Sequence, residues 1–480
     1  MSLKNDCVLS GIRFYNEICL LLQISHLGKE GKVRRIHPQG WVAASLKQIA
    51  AINPRHPKGL DDSMPISFVR MAAVSESNPQ FDSLEVRKLG EVRKGFTHFA
   101  EGDVVFAKIT PCMENGKGAV ATGLQNGIGC GTTELHVIRP LGGIDPHYVY
   151  RFLAQSSVRR AAKENFTGTA GQARVPTSFI EELELPLAPL AEQRRIVAKL
   201  AKLLGQVNAC QQRLEKMPTL LKRFRQSILA AACSGRLTAD WREQNPQNDA
   251  ERVDVIKSGD LPEGWRMSTV ERLAKIGSGQ SSKLIISKCE TTGEIPWFKV
   301  SDMNLDGNEK FMRSSQNYLS QDNAEMLGMK IYPAGTIIFP KRGGAIATNK
   351  KRILIQPSCI DSNTMALTPH SCFGDYFWAW FTTMDLGILA DGSSVPQINN
   401  PDIQPLEVPL PPLAEQQEIV RRVAGLFALA DQLELRLAQA RKQVAKLTPS
   451  LLARAFAGQL VPQNPADEPA EKLLERIKTC

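Results

Sequence analysis

The sequence predicts an α+β fold: two mixed α/β heads separated by two long helices that form an antiparallel coiled coil. Three observations predict it. The chain has 480 residues, too many for one ordinary core. It repeats itself, reading PLAPLAEQRRIVAKLAKLL from Pro186 and PLPPLAEQQEIVRRVAGLF from Pro409, an offset of 223 that runs on without a gap. Behind each repeat the apolar residues fall at alternating steps of four and three, the beat of a helix with one apolar seam.

Taken in chain order, the first head begins at a Pro-Gln-Gly-Trp turn ending at Trp41, and the second at Pro-Glu-Gly-Trp ending at Trp265. Gly40 lies 146 positions before Pro186, and Gly264 lies 145 before Pro409, so both halves follow one plan. Short strand-like runs, punctuated by Gly, Asn and Pro, fill the heads. They include Pro65–Met71, Asp103–Ile109 and Leu135–Ile138 in the first head. In the second they include Ile295–Val300, Thr336–Phe339 and Ile353–Ile355. A helix is expected in each, around Asp145–Glu164 and Tyr376–Leu389. Strand order does not follow from these runs.

The first seam comprises Ile196, Leu200, Leu203, Val207, Cys210, Leu214, Met217, Leu221, Phe224 and Ile228. The second comprises Ile419, Val423, Leu426, Ala430, Leu433, Leu437, Ala440, Val444, Leu447 and Leu451. Pro189 and Pro411–Pro412 end the preceding extended segments. Ala-Glu-Gln then sets a carboxylate in the first turn, where the helix dipole favours it. Gly235 and Gly458 stand where C-terminal caps belong. Pro218 is expected to kink the first helix; the second has Arg441 there and Pro449 further on. A helix of about 40 residues is about 60 Å long. The favoured cover for each seam is the other helix of the same chain, against another chain or the helix's own head.

The formal charge of +10 points to an anionic partner, of which nucleic acid is the usual one. After a matching strand each head carries a basic, polar loop. In the first it supplies Lys108, Thr110, Asn115 and Lys117. In the second it supplies Lys341, Arg342, Asn349, Lys350, Lys351 and Arg352. Cations neutralise phosphates, and Arg or Asn makes two-pronged contacts to base edges. The heads match weakly and the helices well, as two readers on one frame would.

Enzyme chemistry finds little support. The ten cysteines show no C-x-x-C spacing and read as reduced core thiols, with no metal site expected. Glu134 and Asp361 lack a partner His or Cys at recognisable spacing and read as structural or solvated. No G-x-x-x-x-G-K-[ST] loop occurs, nor an Asn-Pro-Pro-Tyr or Asp-Pro-Pro-Tyr element, and Gly127-Ile-Gly-Cys-Gly131 reads as a turn. The apolar run Ile18–Ile24 is too short to span a bilayer and has no signal-peptide flanks, so a cytoplasmic protein without a membrane partner is expected.

The helix blocks, with Leu221–Leu237 and Pro449–Leu460, resemble the specificity subunits of type I restriction–modification enzymes. Residues 1–36 depart from that resemblance and stand as an N-terminal extension of unknown role; beyond them it implies a target recognition domain at 37–185 and a first conserved spacer helix at 186–246. A linker at 247–264, a second target recognition domain at 265–408, and a second spacer helix with its tail at 409–480 would follow. It implies a non-catalytic subunit for defence against foreign DNA, reading an asymmetric bipartite site in double-stranded DNA. Two modification subunits would bring S-adenosylmethionine, and restriction subunits ATP and magnesium; this chain would bind no cofactor. The competing reading is a two-headed coiled-coil adaptor without nucleic acid, separable by salt-sensitive retention on duplex DNA.

Overall fold

The computed structural model describes residues 38–76, 78–168, 173–246, 261–370 and 374–479. The extension at 1–36, residues 247–260 of the expected linker, and Cys7, Cys19, Cys372 and Cys480 lie outside them. The chain divides into two compact units, Met1–Glu215 with Ala438–Cys480, and Lys216–Leu437. Each unit contains one head, the start of the long helix that follows it, and the end of the other long helix.

In the first unit a four-stranded antiparallel sheet runs in the order Ala50–Ile52, Leu135–Pro140, Val104–Ala107, Gly118–Val120. A second sheet runs Glu85–Lys88, Pro65–Val69, Ile128–Gly131, Thr97–Ala100, with its central pair parallel. The strand Val104–Ala107 is buried throughout, which its unbroken apolar run required. Asp103 at its head is 1% exposed and receives two 2.8 Å bonds from Arg139, so this buried charge is paired. The expected helix at 145–164 forms as two, Pro146–Leu153 and Ser156–Glu164. Asp145 caps the first by accepting from the His147 amide.

One expectation fails here. Ile128–Gly131 is a strand inside the second sheet, not a turn. Its glycines serve packing: a Cβ on Gly129 would stand 2.4 Å from the Phe99 ring, and one on Gly131 3.0 Å from the Val69 carbonyl.

In the second unit a five-stranded sheet runs Ala274–Ser278, Thr364–Pro369, Ile337–Pro340, Arg352–Leu354, Phe311–Met312. A smaller sheet joins Tyr318–Leu319, Ile295–Phe298 and Cys359–Ile360. The helix Gly374–Thr383 buries Tyr376, Phe377, Trp380 and Phe381, and a short turn of helix follows at Leu386–Leu389.

The long helices span Leu190–Cys233 and Leu413–Phe456, 44 residues each, or about 66 Å at 1.5 Å per residue. Within each unit their segments run antiparallel. In the first, Arg441 donates to the Leu214 carbonyl at 2.9 Å, and Arg195 reaches Asp467 beyond the other helix's end. In the second, Arg225 holds Asp431 and Glu434 at 2.5 Å each, while Arg422 holds Asp240 at 2.6 Å. Rising numbers on one helix therefore meet falling numbers on the other. Seam residues Ile196, Leu200, Leu203, Val207, Leu214, Leu221, Ile419, Val423 and Val444 are buried, and Leu426 and Leu437 half-buried. Leu433 and Phe224 are corrections, at 36% and 37% exposure. The Arg225 ion fork makes the helix contact at that level and leaves the apolar stripe partly open. Pro218 and Pro449 both sit inside continuous helix; burial of Leu214 and Leu221 beside Pro218 offsets its missing hydrogen bond. Gly235 and Gly458 adopt φ of 71° and 68°, the left-handed cap.

The start of each head is locked to the start of its own long helix by one joint, built twice. Gly40 and Gly264 take φ near 80° (80° and 82°), which lets the turn place Trp41 and Trp265 inward. The Trp41 indole donates to Glu192 at 3.0 Å, and the Trp265 indole to Glu415 at 2.8 Å. Gln193 and Gln416 donate back to Ala188 and Pro411 carbonyls at 2.8 Å each. The strand Val42–Ser45 pairs with Glu184–Leu187, and Arg266–Thr269 with Glu407–Leu410, in the same antiparallel register. So Ala-Glu-Gln does more than face the helix dipole: its carboxylate and amide are buried connectors.

The two joints differ in charge balance. Glu415 also accepts from Thr238 at 2.6 Å and from Arg242. Glu192 has no such cation on it, and its Oε1 is buried without a partner. Burial pushes the Glu192 carboxyl above its ordinary value of 4.5, with Asp467 adding to the rise while the Trp41 bond and Arg195 oppose it. A carboxyl whose folded value is raised stabilises fully below pH 4.5 and loses that contribution as pH rises through the folded value. Glu192→Gln is therefore expected to flatten the pH dependence of first-unit stability and to protect it at pH above the folded value. Hydrogen exchange of residues 41–52 and 184–200 across this range measures it; parallel profiles for both chains contradict it.

Candidate nucleic-acid interface

In the first head, Val104–Ala107 delivers Lys108, whose amide donates to the Glu134 carbonyl at 3.0 Å. Lys108 is half-buried beside the Glu134 carboxylate. The Thr110 hydroxyl donates to Glu114 at 2.6 Å and the exposed Asn115 amide to Glu76 at 3.0 Å. The Lys117 ammonium donates to the Met71 carbonyl at 3.1 Å. Thr110 thus braces its own loop, while Asn115 and Lys117 tie it to the segment of Met71 and Glu76. Lys163 and Thr110 hold the Glu114 carboxyl below the usual carboxylate range.

In the second head, Ile337–Pro340 delivers Lys341 and Arg342, and the Gly-rich stretch winds into a tight helix at Gly343–Thr348. Lys341 reaches the Ser278 hydroxyl at 3.3 Å. Exposed Arg342 donates its Nε to Gln397 at 3.0 Å. Lys350 donates to Asn304, and Arg352 to the carbonyls of Lys351 and Met303 at 2.8 and 3.1 Å.

One expected contact residue, Lys351, is structural instead, and Asn349, though exposed, spends its side-chain oxygen inside the head. Lys351 is 5% exposed, donates to the Met384 carbonyl at 2.7 Å and lies over the Phe381 ring. Burial pulls its ammonium down to about 8, with Asp385 opposing the fall. Asn349 takes a left-handed φ of 51°, and its side-chain oxygen accepts from Lys351 at 2.8 Å and from the Leu386 amide at 3.0 Å. A lysine that caps a helix end from inside cannot also neutralise a phosphate.

Sequence reasoning missed the segment that returns past each loop. In the first head the Lys108 carbonyl accepts from Val175 at 2.9 Å, Ile109 bridges Arg174, and Thr110 donates to Ala173 at 3.2 Å. In the second the Lys341 carbonyl accepts from Ile398 at 2.9 Å, Arg342 bridges Gln397, and Gly343 donates to Pro396 at 2.7 Å. The signal was available: Arg174 and Gln397 stand 223 apart, the offset of the helices. Glu134 and Asp361 have structural roles. Glu134 grips Arg174 by two 2.8 Å bonds, which hold its carboxyl low, and Asp361 accepts from Asn363 and Thr364.

Among the described residues there is no cluster of His, Cys, Asp or Glu able to hold a metal, and no helix long and apolar enough to cross a membrane. The six described cysteines are unbridged, and burial pushes the thiols of Cys130, Cys233 and Cys359 up to about 12.

Residues 38–217 and 262–440 each match the family described as type I restriction modification DNA specificity domain. The specificity subunit of the type I restriction enzyme EcoEI of Escherichia coli is 27% identical, over 87% of this chain and 83% of its own. That of EcoKI, from Escherichia coli strain K12, is 30% identical over 71% of this chain and 73% of its own. Among solved structures, the HsdS subunit from Thermoanaerobacter tengcongensis shares the fold with a TM-score of 0.62 at 20% identity, covering 90% of this chain and 99% of that one. A chain from work on complex assembly and conformational transition of the type I R-M system has a TM-score of 0.65 at 20% identity, covering 88% and 99%.

Proposed function

The chain belongs to the type I restriction–modification DNA specificity family, and from that premise we propose that its heads each read one half of an asymmetric, interrupted DNA sequence. The observation that carries this reading is the common frame of the two heads. The same strand, outgoing loop and return segment occur in both, with the same backbone bonds, while the side chains mounted there differ. A fixed backbone with changed side chains is what base reading at two different half-sites requires.

The chain itself takes no catalytic step in this reading. It acts in the cytoplasm, positioning two modification subunits that use S-adenosylmethionine to methylate an adenine in each half. Restriction subunits add ATP- and magnesium-dependent cleavage. The protein names among its relatives support assembly into such an enzyme, since they are specificity subunits of type I restriction enzymes.

The test is a map of methylated adenines in DNA from cells carrying this chain with its modification partner. Two adenines in a non-palindromic, interrupted sequence are expected, absent when the chain is deleted. A single uninterrupted site, a palindrome, or an unchanged map on deletion overturns the reading.

A further inference from the structure

The two return ladders are superimposable residue for residue in their hydrogen bonding. Lys108, Ile109 and Thr110 correspond to Lys341, Arg342 and Gly343; Ala173, Arg174 and Val175 correspond to Pro396, Gln397 and Ile398. Glu134 corresponds to Asn363, because each carbonyl accepts from the first lysine's amide, at 3.0 and 2.8 Å. At the central bridge of this ladder each head carries one guanidinium. The first head mounts it on the return segment, as Arg174; the second mounts it on the outgoing loop, as Arg342.

Their surroundings set them apart. Arg174 is clamped by the Glu134 carboxylate through both Nε and a terminal nitrogen, so its charge is matched within the head. Arg342 faces an amide, not a carboxylate. Gln397 accepts only from its Nε, at 3.0 Å, and Gln397 is itself fixed because its Nε2 donates to Asn399 at 2.6 Å. The two terminal nitrogens of Arg342 have no partner among the described residues, and its side chain is exposed. A guanidinium held by its Nε and open along its terminal edge presents two parallel donors and an unmatched charge. That edge fits the O6 and N7 acceptors of guanine in the major groove.

Resting on the DNA-reading function above, we propose that Arg342 reads a guanine in the half-site of the second head and that Gln397 is its positioning residue. Gln397 costs Arg342 no charge and fixes the plane of its fork; in the first head Glu134 instead matches the Arg174 charge and takes up its Nε and one terminal nitrogen. The two heads thus differ at this rung in whether the guanidinium is offered or withheld.

The experiment measures binding of the chain, in complex with its modification subunit, to duplexes carrying every single base-pair change in the mapped site. Wild type, Arg342→Ala, Gln397→Ala and Gln397→Glu are compared. Arg342→Ala is expected to erase preference at one G·C pair of one half, roughly ten- to a hundredfold, while preferences elsewhere persist. Gln397→Ala should weaken preference at that same pair. Gln397→Glu should also weaken it, because a carboxylate there matches the Arg342 charge within the head, as Glu134 does for Arg174. Discrimination in the untouched half reports that each variant is folded. Uniform weakening at all sequences by Arg342→Ala, loss at a pair other than G·C, or an unchanged preference in Gln397→Ala overturns the proposal. Failure of the parent reading looks different: wild type itself would then show no sequence preference.

Discussion

Replacing Glu415 by alanine is expected to lower the unfolding free energy of the second unit by about 3–5 kcal/mol, the cost of breaking a buried, hydrogen-bonded ion pair. Glu415 is 1% exposed and joins three elements at once. It accepts from the Trp265 indole at the start of the head, from Thr238 beyond the end of the first long helix, and from Arg242 in the short helix that follows. Alanine leaves the indole N–H without its acceptor and the guanidinium without its carboxylate. Arg242 keeps its bond to the Gly235 carbonyl at 2.7 Å, so its charge stays near the joint rather than moving to water. Glu192→Ala is the internal comparison. There one oxygen has no partner and the carboxyl carries no paired arginine, so the loss is one indole bond, about 1–2 kcal/mol. Chemical denaturation of the full chain, resolved by hydrogen exchange on each unit, separates the two. Equal losses in both units would mean that the Arg242 contact adds nothing.

That asymmetry marks where the sequence was legible and where it was not. The Gly-Trp and Ala-Glu-Gln elements are visible as repeated words, and their spacing is visible too. Their meeting is not, because Trp41 and Glu192 lie 151 residues apart and no local period links them. The seams were readable because burial on a helix repeats every three or four residues, and Ile196, Leu200 and Val207 are buried as their spacing requires. The same rule misled at Leu433, where Asp431, two positions before it, and Glu434, one after, take the helix contact through Arg225. Charge in a loop was the weakest guide. Lys350, Lys351 and Arg352 read alike in sequence, yet past the backbone turn at Asn349 only Lys351 is buried, over the Phe381 ring, while Lys350 and Arg352 are half-buried. Strand order was beyond reach because each head mixes parallel and antiparallel pairs whose partners are far apart in the chain.

Phe456→Ala is expected to be as damaging in the first unit as Glu415→Ala is in the second, at about 3–5 kcal/mol for a buried aromatic truncated in a core. Phe456 ends the second long helix, 8% exposed, with its ring 4.9 Å from Tyr148 and 5.5 Å from Phe152 of the first head. The residue 223 positions earlier, ending the first long helix, is Cys233, and it packs on the cluster that holds Tyr376 and Trp380. Tyr148 and Tyr376 are counterparts, since their hydroxyls donate to the Pro186 and Pro409 carbonyls. Counting four residues on from each, Phe152 in the first head stands where Trp380 stands in the second. The large helix residue thus meets the smaller head aromatic, while the small helix residue packs on the cluster that holds the larger one, an exchange of volume between the two junctions. Phe456→Cys alone should open a cavity, and Phe152→Trp alone should overpack the junction. The pair together should recover part of both losses, a coupling that a double-mutant cycle in thermal or chemical unfolding reads directly. Strict additivity would show that the two junctions do not exchange volume in this way. In the full complex, Phe456→Ala should loosen the seat of the first head and blur reading of its half-site, while the half-site of the second head keeps its base preferences.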